Sequence, residues 1–214
     1  MQAAGIREII IRPETYSLLG TPDSSRLRFT MSVFTAVLFL HLAAAFALFI
    51  GAGIEWITSS LFRNASSTEQ LRAWLRVFKV SPPLSGAGIG VLLLSGGYLA
   101  SLSGAMKQGW IPATLLGIFL ALALGFALIL PRMRGIRLAL PSGNEPLSTA
   151  LRARISDPVL LTAIRVRLLL AGGIAYLMAS KLPFIPSLVV LVIASILGVL
   201  VSIPTWGRRK AAAS

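Results

Sequence analysis

Apolar residues run through this chain in long uncharged stretches, each closed by a short basic one. The first and longest stretch, Phe29–Ile54, holds twenty-six residues without a formal charge and breaks at Glu55. A helix needs ~20 mostly apolar residues to cross a bilayer, so this run predicts a spanning helix. Four more runs of spanning length follow: Pro82–Leu102, Pro112–Pro131, Pro158–Ser180 and Ser187–Ile203. Proline near the start of three of them suits a first helical turn, where no backbone N–H is needed. Ser156-Asp157-Pro158 adds a capping residue ahead of such a proline.

The segments between the spans differ in kind. Within Ser59–Lys79, Leu71, Trp74, Leu75 and Phe78 recur at i, i+3, i+4 and i+7, with Arg72, Arg76 and Lys79 on other faces. That pattern predicts a basic amphipathic helix, either lying at the headgroups or packed on the bundle. Arg132–Ile155 is the longest polar connection, with a break at Pro141–Pro146. Ahead of the first span, Ile6–Ile11 reads as a short strand or interfacial segment, and residues 21–25 as a turn. The first apolar run is too long for a secretory leader and is expected to be retained. The fold class is therefore all-α, a polytopic bundle of about five spans and one interfacial amphipathic helix. Residues 1–28 form an N-terminal tail, 29–206 one transmembrane domain, and 207–214 a basic C-terminal tail.

Composition sharpens this picture. Only 13% of the 214 residues are charged and 56% are hydrophobic, where a soluble domain carries about a quarter charged. The formal net charge of +13 does not point to nucleic acid, because the cations cluster at the ends of apolar runs, where topology and anionic headgroups account for them. With the N-terminus outside, 14 of the 20 basic residues fall on the cytoplasmic side. The positive-inside rule then predicts N-out and C-in in a bacterial inner membrane. There are no cysteines, which excludes disulfides and thiol chemistry.

Polar groups inside the spans are the candidate chemistry, since an ionisable group at membrane depth must face protein or water. His41 is the single histidine. It reads either as a haem or metal ligand or as a histidine hydrogen-bonded to a neighbouring helix, with Tyr176 or Tyr98 the partners at matching depth. Glu55 and Arg165 are expected to pair: both lie in the cytoplasmic half, and Arg165 shares a helical face with Leu169, Gly172 and Tyr176. Arg167, about 200° away, is expected to snorkel. His41 and Glu55, fourteen residues apart, are separated by ~21 Å and cannot form a dyad. Small residues at four-residue spacing predict close helix packing: Gly86 with Gly90, Gly117 with Ala121 and Gly125, and Gly198 between Ala194 and Ser202. Metal, phosphate-loop and nucleophile-elbow motifs are missing from the sequence.

Leu40-His41-Leu42 followed by an Ala-rich turn and Gly51-Ala52-Gly53, with Arg165-Val166-Arg167-Leu168 further on, resembles a group of small bacterial integral membrane proteins of unknown function. That group is similar to copper-resistance D membrane domains and to HemJ-type protoporphyrinogen oxidases. The resemblance implies a helical membrane architecture and, through the HemJ-type proteins, a first-span histidine that binds haem, here His41. This chain lacks the additional histidines of those relatives. Three functions follow as expectations: a non-catalytic or accessory membrane component, alone or in a homo-oligomer or larger assembly; a haem- or copper-linked redox protein using His41; and a small-solute carrier along the glycine-rich second and third spans.

Overall fold

The computed structural model describes residues 24–143 and 145–211. The strand or interfacial segment expected at 6–11 and the terminal residues 212–214 lie outside them, and the turn expected at 21–25 gives way to helix from Ser24. Helix α1 (Ser24–Arg63) is followed by α2 (Thr68–Phe78), α3 (Ser81–Leu102), α4 (Trp110–Ala123), α5 (Leu130–Leu138), α6 (Thr149–Ile155), α7 (Pro158–Ser180) and α8 (Phe184–Ala211). Five stretches are long and apolar enough to cross a membrane: Ser32–Arg63, Thr68–Leu102, Trp110–Leu138, Thr149–Ser180 and Phe184–Pro204. Among the described residues the one β-type contact is an isolated bridge between Ser67 and Pro146.

Two helices outrun the lengths their prolines suggest. Pro131 was expected to end the third span, yet the helix continues to Leu138 through a π-helical turn at Leu124–Ile129. A proline in a helix interior lacks an N–H and crowds the carbonyl four residues back; a widened turn just upstream relieves both problems. Pro204 likewise sits inside α8, which runs on to Ala211.

At 40 residues, α1 is about 60 Å long, twice the ~30 Å hydrocarbon thickness. Its C-terminal turns therefore reach into a second layer built from α2, α5, α6 and the start of α7. Leu71, Leu75 and Phe78 of α2 pack there with Phe62, Met133, Ile136, Leu151, Ile155 and Leu160. The apolar face of α2 is thus covered by protein, as the bundle-packed alternative requires. Short polar links fasten this layer. Ser67 caps α2 by accepting from the Gln70 N–H, and the Thr68 hydroxyl donates to the Gly143 carbonyl at 3.0 Å and accepts from the Glu145 N–H at 3.1 Å. Asp157 caps α7 at the Val159 N–H and accepts from Arg132 Nε, both at 2.9 Å.

The membrane-level layer has its own core, formed by Ile89, Ala113, Ile118, Val166, Leu170, Ile174, Leu177 and Leu191. Here α7 is central: half of its most apolar window is buried, against 6% for α1. The outward faces carry exposed Phe39, Phe46, Leu94, Phe119 and Phe126, side chains that lipid would cover.

Candidate functional site

The polar groups of the spans lie at two depths along the α1 seams. At the one beside the arginine-rich layer, Glu55 is 1% exposed. Its two carboxylate oxygens accept from Arg167 Nη1 at 2.8 and 2.9 Å. Oε1 also accepts from the Ser81 hydroxyl at 2.7 Å, and the same hydroxyl lies 2.8 Å from the Gly51 carbonyl. A buried carboxylate is tolerable only when paired and hydrogen-bonded, and α3 and α7 supply both conditions. On the far side of the guanidinium, Gly125 of the π-helical turn approaches: a Cβ there would lie 3.9 Å from Arg167 Cζ.

The partner of Glu55 is thus Arg167, in place of the expected Arg165. The helical face explains the exchange. Arg167 shares an i±3, i±4 stripe with Leu160, Ala163, Ile164, Leu170, Ala171, Ile174 and Leu177, all buried. Gly172 and Tyr176, the residues that seemed to turn Arg165 inward, are exposed. Arg165 is nonetheless buried by another route. Its guanidinium donates to the Val201 carbonyl of α8 at 3.3 Å and lies 5.7 Å from the Trp56 ring centroid, a cation–π distance.

At the other, within the span, His41 Nδ1 and the Ser95 hydroxyl of α3 are 2.9 Å apart. Ser95 also donates to the Val91 carbonyl. The imidazole packs against the α3 backbone, since a Cβ on Gly96 would stand 3.1 Å from its Cε1. Neither tyrosine is the neighbour; Tyr98 and Tyr176 are 41% and 56% exposed. Ser81, Ser85, Gly88, Leu92 and Ser95 form the buried stripe of α3 facing α1. Their alternating spacing of four and three was the available signal for both serine partners, and the α3 glycines drew attention away from it.

Those glycines divide by face. Gly86 and Gly90 point away from the bundle, with no atom within 4 Å of an added Cβ, whereas a Cβ on Gly88 would stand 3.0 Å from the Ala44 carbonyl oxygen. A Cβ on Gly117 would stand 3.1 Å from the Ile174 and Leu191 side chains, and one on Gly198 would fall 2.6 Å from the Val166 Cα. Between the two polar depths, the seam of α1 and α3 is closed by Gly88 and Ala44. Among the described residues no three histidine or acidic side chains group as a metal would require. Comparison with protein-family models, with curated proteins and with solved structures finds no match.

Proposed function

We propose that this chain is a non-catalytic, accessory component of the bacterial inner membrane, with its N-terminus outside and its arginine-rich end in the cytoplasm. The observation that carries the reading is the use made of the intramembrane polar groups. Glu55 spends both oxygens on Arg167 and Ser81, and so ties three helices together at the boundary between the two layers. A buried charge paired and hydrogen-bonded in this way is satisfied without any ligand. The excess of arginine at the α2, α5 and α6 end supports the cytoplasmic placement.

One observation favours the haem- or copper-linked alternative. Ser95 holds the His41 ring through Nδ1 while the residue stays half-buried, and a ring fixed through one nitrogen is how ligand histidines are oriented. The chain offers a single imidazole, so it would supply one ligand to such a group. For a carrier, the open faces of Gly86 and Gly90 lie outside the bundle and do not line an internal path.

The deciding measurement is the absorption and metal spectrum of the purified protein, alongside reporter fusions to its C-terminus. A colourless, metal-free protein with a cytoplasmic C-terminus is the expected result. A Soret band lost in His41→Ala would replace the accessory reading with the redox one.

A further inference from the structure

Between α2 and the end of α5 opens a cavity of about 480 Å3, within the ~300–1,000 Å3 of ordinary ligand sites. Arg72 and Arg76 enter it from α2, Lys79 from just past its end and Arg137 from α5, with Glu69 the single acid and Leu140 part of the wall. Four cations against one carboxylate leave a surplus of three positive charges. The arrangement follows from the amphipathic pattern: Leu71, Leu75 and Phe78 turn into the core, and positions 72, 76 and 79 form the neighbouring stripe. Arg72 donates to the carbonyls of Pro141 and Gly143, which fastens the α5–α6 connection beside it. Among the described residues, Arg76, Lys79 and Arg137 have no acidic partner.

What surrounds the cavity points to its occupant. Lys79 lies two residues before the start of α3 at Ser81, where the chain turns from basic to apolar. Val77, Val80 and Leu138, next to the lining cations in sequence, are 43%, 55% and 78% exposed. Cations beside exposed aliphatic side chains, at the mouth of a span, match a molecule with a phosphate head and hydrocarbon tails. We propose that this cavity binds the headgroup phosphate of an acidic phospholipid. The proposal rests on the reading that this end lies at the headgroup level.

The test titrates short-chain phosphatidylglycerol, with phosphatidylcholine as the neutral comparison, into full-length protein in uncharged detergent, and follows thermal stability and native mass spectrometry. Each cation near an anionic surface is worth roughly a factor of five, so Arg76→Gln/Arg137→Gln should weaken the phosphatidylglycerol response about 25-fold. The pair Arg134→Gln/Arg152→Gln, exposed on the same end but outside the cavity, removes equal charge and should weaken it less than fivefold. Equal weakening by both pairs, or no preference for phosphatidylglycerol, overturns the proposal. Inorganic phosphate or glycerol phosphate reproducing the shift at the same concentration also overturns it, in favour of a soluble anion. Protein found in the membrane fraction without selective lipid binding fails the cavity alone; protein left in the supernatant fails the membrane reading as well.

Discussion

Around Phe62 and Met133, at the arginine-rich end, the protein is packed as a water-soluble domain would be; around Leu170 and Ile174 it is not. Nine of the twelve largest fully buried side chains, including Phe62, Phe78, Leu71 and Met133, belong to the first core. That layer is made of short helices and loops, surrounds itself with its own side chains, and caps its helix ends with Ser67, Ser148 and Asp157. The second core relies on close backbone approach at Gly88, Gly117 and Gly198, and leaves its large aromatic and aliphatic residues on the outside. Water drives the first arrangement, since burial is the favourable term there. In lipid that term vanishes between helices, and van der Waals fit at small residues replaces it. The Glu55–Arg167–Ser81 knot sits where the two regimes meet.

The comparison can be broken first at Phe62, which is fully buried and tilted against Phe78 at 5.8 Å between ring centroids. Phe62→Ala should cost about 3–5 kcal/mol in a thermal or denaturant unfolding series in detergent. Phe46→Ala, at a residue 69% exposed on the spans, should be close to neutral in the same assay. Similar losses at both sites would mean that the two layers are not packed by different rules.

Next in size is the knot itself. Glu55→Gln keeps a group able to accept from Ser81 but leaves the Arg167 charge buried without its counter-ion, a loss at the lower end of roughly 3–5 kcal/mol. Exchanging the pair, Glu55→Arg with Arg167→Glu, should recover part of the expression lost in either single change. Full additivity of the two single effects would remove the coupling that the 2.8 Å contact implies.

A third prediction separates the glycines. A Cβ at Gly198 would fall 2.6 Å from the Val166 Cα and 2.9 Å from its N, so α7 or α8 must shift, and Gly198→Ala should destabilise by about 1–3 kcal/mol. Gly86→Ala meets open space and removes a poor helix former, and should stabilise by up to about 1 kcal/mol. Both are read as shifts of the unfolding midpoint in detergent.

Much of this organisation could be read along the chain. Five spans and the amphipathic helix after the first follow from spacing, because lipid imposes length and periodicity directly. Partner choice did not follow in the same way. Arg165 and Arg167 are two residues apart in one apolar helix, and α7 is buried nearly all round over this stretch, so each position has some neighbouring element. Telling them apart required knowing that Arg167 is the one that meets Glu55 of α1 while Arg165 meets α8, which depends on where α8 docks. The extension of α5 beyond Pro131 was hidden for a local reason: the π-helical turn that accommodates the proline has no residue signature of its own.

The smallest expected effect, at His41, bears most directly on what the protein does. The bond to Ser95 joins α1 to α3 at one point, and a single side-chain hydrogen bond contributes about 0.5–1.5 kcal/mol. His41→Ala and Ser95→Ala should therefore lower the unfolding midpoint slightly and by similar amounts. The double variant should cost less than the sum of the two singles, because the interaction can be lost only once. A ligand histidine behaves differently. His41→Ala would then abolish a bound chromophore and cost far more than Ser95→Ala, which removes an orienting contact and leaves the imidazole in place. The ratio of the two losses, measured beside the absorption spectrum, thus distinguishes a tie between helices from a cofactor site.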